Sequence, residues 1–392
     1  MQRRKLLIVG GGNLCLQILQ ILVPRNRFEF HVASRDLEQT TRLCNLVRLA
    51  ALQQDVAAQV QPWEMDLTEA AIERNAQTLA RIKPDIIVNC ASLQSWRVIT
   101  QLPKAKFDAL DQAQLGPWLP MHLAPAYALM RAVLQSCPKS LVVNAAFPDA
   151  VNAVLYKVGM APDVGVGNVA NLIPATRCAI ARLARCEPLQ VRVKLIGQHY
   201  FSHYVPREGL PPLQELHNLT YWVNGQELTG EFLDEKIFAG VATEFRRKGG
   251  MDGQYLTAMS AVTVIENLYA DTEVHVHAPG PHGLPGGYPV KVGMGKVLLD
   301  LPYSVKREVA IDLNEKGQCQ DGIEAILADG TVVFGRPQMN VMQRLLGFSM
   351  SAMRVQDAAG HALELGRKYQ EFTRSTHLHG ACDHGLEQRL FA

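Results

Sequence analysis

Along the first 150 residues the apolar positions switch between two periods. Apolar runs of strand length fall at 6–9, 28–33, 56–65, 85–89 and 141–145, and between them 14–22, 37–52 and 70–82 place apolar residues near every 3.6 positions. Strands alternating with helices at this spacing predict βαβ units, and so a doubly wound parallel sheet covered on both faces. Past residue 150 the rhythm changes. A helix at 151–159, a short strand at 163–166 and a helix at 169–184, which Asn168 can cap, lead into a long strand at 189–204 that alternates through Val191, Val193 and Leu195. Asn224-Gly225 after 219–223, and Asp329-Gly330 between 322–327 and 331–334, are hairpin signals. Helices at 256–269 and 305–314 would cover the resulting antiparallel sheet, and 341–372 is helix-rich, longest over 352–372 although Gly360 and Gly366 weaken it. The expected class is α/β: a doubly wound parallel sheet over 1–150, a second α+β domain with a mainly antiparallel sheet over 151–340, and a helical segment over 341–392 that packs back on the first domain.

Composition agrees with two packed domains and a small ligand. The 392 residues exceed one ordinary core, and 48% of them are apolar. A net charge of +2 with 19% charged residues forces no basic face on the surface, so a small-molecule substrate is the expected partner and nucleic acid is not. The eight cysteines form no Cys-x-x-Cys pair, the usage of a reducing compartment. The first apolar run ends at Gly10, and no run approaches the roughly 20 apolar residues of a membrane span. A cytoplasmic location without a membrane partner is the expectation.

The first strand runs into Gly10-Gly11-Gly12-Asn13-Leu14-Cys15 and opens a helix. Gly10 permits a tight turn, and Gly12 lets the backbone and the helix N-terminus approach a pyrophosphate. A strict Gly-x-Gly-x-x-Gly/Ala fingerprint asks for glycine or alanine where Cys15 stands, a side chain small enough to keep helix and strand close. At the head of an alternating βαβ series this turn predicts a Rossmann dinucleotide-binding domain. Ligands of such sheets lie at the carboxyl ends of the strands. The candidate contacts are therefore Gly10, Gly12, Asn13 and Leu14 after the first strand, Ser34 and Arg35 after the second, Asp66 after the third, and Asn89, Cys90, Ala91 and Ser92 after the fourth. Taken singly, the polar ones serve a turn or a helix cap equally well. A hydroxyl followed by a guanidinium suits a 2′-phosphate, where an acidic residue would select ribose hydroxyls, so the expected cofactor is NADP(H) rather than NAD; read instead as a solvated charge at a helix start, Arg35 leaves that preference open.

Val9-Gly-Gly-Gly-Asn13, Ala33-Ser-Arg35, Asn89-Cys-Ala-Ser92 and Asp163-Val-Gly-Val-Gly-Asn168, in this order, resemble the saccharopine dehydrogenase-like family of the saccharopine reductase and carboxynorspermidine dehydrogenase type, over residues 1–185. The resemblance implies hydride transfer between a nicotinamide and an imine formed from an amine and a keto acid, or a carbonyl. The family commonly carries a Pro-Gly pair near Gly167; here Val166 replaces the proline, which leaves the substrate class open. An antiparallel sheet exposed in the second domain makes a homodimer the expected oligomer. The alternative reading is a non-catalytic NAD(P)-binding sensor or assembly protein. An aldehyde or acyl reductase is a third, with Cys90 as its thiol, although Cys90 reads more simply as a small buried cysteine.

Such a reductase needs a proton donor beside the reduced heteroatom and a cationic or amide clamp for a carboxylate. His199 and His203, at the end of the long expected strand, and His282, in the loop 279–289, are the candidate catalytic residues; Asn168, Arg177 and Tyr204 are the candidate substrate-binding ones. The histidines also read as surface polar positions, and Arg177 as a solvated or ion-paired helix residue. The glycines and prolines of 279–289 describe either a stiff cover over substrate or a tight connection between strands at His275 and Val290. His377, His379, Cys382 and His384 crowd the C-terminus, but their spacing matches no familiar zinc site and no metal is expected.

Overall fold

Alternate residues of the first strand go to opposite faces of the sheet, and each face has its own core. Leu6 and Ile8 pack with Cys15, Ile18, Cys44 and Val47, whereas Leu7 and Val9 pack with Ile72, Leu79, Leu129 and Val151. The computed structural model describes residues 3–94 and 96–380. Its parallel strands β1 (Arg4–Val9), β2 (Phe28–Ser34), β3 (Val60–Glu64), β4 (Ile86–Asn89), β5 (Leu141–Asn144) and β6 (Val164–Gly165) take the order β3-β2-β1-β4-β5-β6. The order reverses between β1 and β4, which opens a crevice at their carboxyl ends. The third strand begins at Val60 rather than 56, because the chain is still turning through Asp55 at φ 57°.

Helices α1 (Asn13–Leu22), α2 (Leu37–Leu52), α3 (Ile72–Ile82), α4 (Lys104–Asp111), α5 (Leu119–Ser136) and α6 (Pro148–Lys157) accompany this sheet. The apolar pattern assigned nothing to α4 and α5, a region punctuated by Pro117, Pro120 and Pro125. Pro120 sits in the first turn of α5, where no N–H is needed. Pro125 lies inside the helix and withholds an N–H from the Met121 carbonyl, which accepts instead from Leu93 N at 2.9 Å. The missing helical bond thereby ties α5 to the loop that follows β4.

A second, antiparallel sheet joins β7 (Val191–Gly197), β8 (His217–Val223), β9 (Gln226–Glu227), β10 (Val274–Pro279) and β11 (Gly287–Gly293) in the order β10-β11-β7-β8-β9, with β12 (Lys296–Leu299) beside β11. With it come α7 (Ile173–Ala184), α8 (His199–Glu208), α9 (Asp234–Ala242), α10 (Gln254–Asn267) and α11 (Arg307–Gln320). Ala258, Ala261 and Ile265 of α10 share a core with Ile18 and Leu19 of α1 and with Val290 of β11, so one helix is common to both sheets.

The long strand expected over 189–204 stops at Gly197, and 199–208 is helical. Gln198 makes the break: its side-chain oxygen accepts Tyr200 N at 2.6 Å and caps α8. Phe201 and Val205, four apart, then form the buried stripe of that helix.

The final segment holds β13 (Ile323–Ile326), β14 (Val332–Phe334), α12 (Arg336–Leu346), β15 (Ala352–Met353) and α13 (Ala358–Gly380). The long C-terminal helix begins at Ala358 rather than 352, because Ala352 and Met353 pair with Val333 and Val332 and complete a third sheet. Met342, Leu365 and Tyr369 share a core with Leu129 and Val133 of α5. The side chains of His377 and His379, and the whole of Cys382 and His384, lie outside the described residues. Among the described residues no helix is long and apolar enough to cross a membrane.

Candidate functional site

A cavity of about 760 Å³ lies over the carboxyl ends of β1 to β4, within the range of about 300–1,000 Å³ common for small-molecule sites. It brings together Gly10, Gly12, Asn13, Leu14, Ser34, Arg35, Asp66, Cys90, Ala91 and Ser92. Gly10 has φ 105°, and a Cβ there would stand 2.7 Å from Ala91 N, so the glycine turn and the β4 loop touch backbone to backbone. Nothing lies within 4 Å of a Cβ built on Gly12, which starts α1 without a side-chain cap. Backbone N–H groups at the head of α1 are thus open to an anion. Cys15 is fully buried behind the turn, and burial holds its thiol well above the ordinary range. Asn89 does not line the cavity; it shapes the wall by accepting Ala91 N at 3.1 Å and donating to Asn144 Oδ1 at 3.0 Å.

At the end of β2 the acidic side chain is already engaged. Asp36 Oδ1 accepts Gln39 N at 2.9 Å and caps α2, and Ser34 Oγ shares a hydrogen bond with Thr40 Oγ1 at 2.6 Å. Arg35 is exposed on the rim and makes no ion pair among the described residues.

A second cavity of about 430 Å³ shares Leu14, Thr100, His122, Ala145 and Gln254 with the first, and continues towards α8. His199 and His203, four apart on α8, share one face with ring centroids 4.2 Å apart and both line it. His199 Nδ1 lies 2.9 Å from Asp321 Oδ2 at the end of α11. The approach is close because Gly317 lies against Gln198, where a Cβ would come within 2.7 Å of the Gln198 Cβ. Asp321 also accepts Gln198 Nε2 at 3.1 Å and Leu115 N at 3.3 Å. Burial pushes the His199 pKa down, but the adjacent Asp321 carboxylate and the more distant Asp149 outweigh it, and the net direction is up. Asp149, bonded to Asn168, is raised to about 6 by burial. Phe147 and Asn168 line the cavity with left-handed backbones at φ 47° and 50°. Strained conformations of this kind cluster where a site must hold its shape.

His282, Arg177 and Tyr204 line neither cavity. The His282 ring pairs with the Val297 carbonyl at 2.6 Å, and its loop is the connection reading rather than the cover: His282 N bonds Asp163 O at 2.9 Å and Gly286 N bonds Asp149 O at 3.1 Å. Arg177 donates to the carbonyls of Val191 (2.8 Å) and Pro188 (3.0 Å), so its guanidinium fastens α7 to β7. The Tyr204 ring packs against Tyr200, centroids 5.6 Å apart.

The sequence reading missed Asp321, His122 and a basic loop. Arg246, Arg247, Lys248, Gly249, Gly250 and Gly253 line the second cavity between α9 and α10. The loop is held over the first cavity by Asn13 Nδ2, which donates to Gln254 Oε1 at 2.7 Å and Met251 O at 3.3 Å. Three basic residues running into Gly-Gly was the signal available for it.

His277, outside the site, shows how burial acts on a structural histidine. Its Nε2 accepts Leu195 N at 3.0 Å and burial depresses its pKa to about 3. A pKa held below the ordinary 6.5 means a proton binds the unfolded chain first, so this contribution to stability is full above 6.5 and is lost as pH falls. The stability margin of the wild type over His277→Gln, from urea midpoints, should therefore shrink on acidification below 6.5. A margin that is flat or grows would show the ring is not held neutral.

No protein-family model matches the chain, and no curated protein matches it. Solved structures do. Malate dehydrogenase of Cryptosporidium parvum aligns over 81% of this chain and 96% of its own, with a TM-score of 0.55 and 15% identity. Lactate dehydrogenase of the same organism, solved with lactic acid and nicotinamide adenine dinucleotide, aligns over 82% and 96% at 0.53 and 16%. Malate dehydrogenase of Plasmodium falciparum aligns over 92% and 99% at 0.54 and 13%. At such identities the likeness is one of fold: a two-domain α/β architecture of the malate and lactate dehydrogenase kind. The N-terminal motifs resembled the saccharopine dehydrogenase-like family, to which these three neighbours do not belong.

Proposed function

We propose that the protein is an NADP(H)-dependent oxidoreductase acting on a carbon–oxygen or carbon–nitrogen double bond beside an anionic group, such as a keto acid or the imine it forms with an amine. The observation that carries this reading is the adjacency of the two cavities, a cleft at the switch point of a doubly wound sheet sharing five lining residues with a chamber walled by His199 on Asp321. The residues present fit the cofactor: a glycine turn with an uncapped helix start for the pyrophosphate, and Ser34 with an unpaired Arg35 for a 2′-phosphate. When bound, the cofactor would supply a hydride to the substrate carbon.

This chain's own residues do the rest. Asp321 occupies Nδ1 of His199, which leaves Nε2 for the substrate heteroatom. The upward shift favours the charged imidazole, so Nε2 can give its proton to the oxygen or nitrogen as the carbon is reduced, and take it back in the reverse direction. Arg207 is paired with Asp111 at 2.6 Å and Lys248 with Asp252 at 3.6 Å, whereas Arg246 and Arg247 make no ion pair among the described residues and suit a carboxylate. The acyl-reductase reading loses its nucleophile, because burial pushes the Cys90 thiol up to about 12. A pure sensor would not need a proton donor at the mouth of the nucleotide cleft.

Arg35→Ala tests the cofactor preference. By calorimetry it should weaken NADPH about tenfold, as expected for losing one charge-assisted contact, and leave NADH unchanged. Equal losses, or none, would show that Arg35 does not bind a 2′-phosphate. Screening NADPH oxidation against keto acids with and without amines would then separate carbonyl from imine substrates.

A further inference from the structure

His122 stands where the two cavities meet and lines both. It is only 7% exposed, yet neither Nδ1 nor Nε2 has a hydrogen-bond partner among the described residues. A buried imidazole with both nitrogens unpaired opposes folding and asks for a ligand. Its position is built. Pro125, one helical turn on, breaks the α5 ladder and lets Met121 O bind Leu93 N at 2.9 Å, which fixes this turn of the helix against the β4 loop. The Phe147 ring packs edge-on against both His122, at 6.0 Å, and His199, at 5.4 Å.

In a doubly wound sheet the adenine half of a dinucleotide lies over the first strands and the nicotinamide half beyond the switch point, near the end of β5. The side-chain amides there are spent. Asn144 accepts Asn89 Nδ2 and Ala146 N, each at 3.0 Å, and donates to Asn152 Oδ1 at 2.8 Å. The one buried polar side chain at the cavity junction with atoms to offer, among the described residues, is His122.

We propose that His122 binds the carboxamide of the nicotinamide. The inference rests on the cofactor reading above. A neutral imidazole carries one N–H and one bare nitrogen, so it can pair with either the C=O or the NH2 of a carboxamide. Burial, aided by the charge of His199, lowers its pKa to about 4, which keeps it in that neutral form.

Calorimetric titration with two ligands tests this: NADPH, and 2′-phospho-ADP-ribose, the same molecule without its nicotinamide. H122F is expected to weaken NADPH about tenfold and to leave 2′-phospho-ADP-ribose unchanged, and H122Q, which keeps a donor and an acceptor, to recover part of the loss. Should H122F fail to melt cooperatively, H122L carries the same test. Unchanged NADPH binding, or equal losses for both ligands, would overturn the assignment while leaving the cofactor reading intact. Failure of the wild type to bind either ligand would overturn the cofactor reading, and this inference with it.

Discussion

Replacing His199 by glutamine is expected to lower NADPH-dependent turnover by about 10²–10⁴-fold, the usual loss of a positioned acid or base, with NADPH affinity unchanged. The split follows from geometry: His199 lines the second cavity and not the first, so in the proposed function it would act on the substrate and not on the dinucleotide. The pH dependence adds a second handle. His199 is raised above its ordinary 6.5, so reduction should fall as pH rises through that raised value rather than through 6.5. In Asp321→Asn the ring loses its carboxylate partner, and the alkaline limb should move to lower pH. Initial rates across pH on the substrate found by screening measure both effects. Turnover in His199→Gln close to that of the wild type would remove His199 from the chemistry.

Asp321→Ala is expected to be the most destabilising single change at the site. The carboxylate is 1% exposed and receives His199 Nδ1, Gln198 Nε2 and Leu115 N, while its own carbonyl accepts Gly116 N at 2.7 Å. Breaking a buried pair costs about 3–5 kcal/mol, and the loss here should lie near 3 kcal/mol, because His199 can shed its proton whereas the Leu115 N–H and the Gln198 amide keep theirs. The sign with pH is fixed by the direction of the shift. A histidine whose folded pKa is raised contributes stability that is whole below 6.5 and lost as pH rises through the raised value. The wild type's margin over Asp321→Ala, from urea unfolding, should accordingly be largest below 6.5 and narrow above it. A margin that widens with alkalinity would contradict a charged His199.

What the sequence made legible is what short-range physics controls. The glycine turn, the parallel strands and the residues following β1 to β4 are local features, and Gly10 through Ser92 assemble one cavity because a doubly wound sheet gathers its strand ends at one edge. Chemistry made by distant pairing was hidden. Asp321 lies 122 residues from His199 and belongs to no motif, and only the packing of α11 against Gln198 brings it there. The alternation of Val191, Val193 and Leu195 is followed by Tyr200, Phe201 and Tyr204, residue types that favour strands, while a single Gln198 cap switches the backbone to a helix. His122 was hidden by prolines that argue against a helix when read singly. One of them falls in the first turn, and the other leaves a carbonyl that the β4 loop satisfies.

Titration of the unmodified protein with NADPH and NADH reads whether the cleft over β1 to β4 holds a nicotinamide dinucleotide. Saturable binding of one NADPH per chain is expected, tighter than NADH by about tenfold as one charge-assisted contact allows. No saturable binding of either dinucleotide would contradict it.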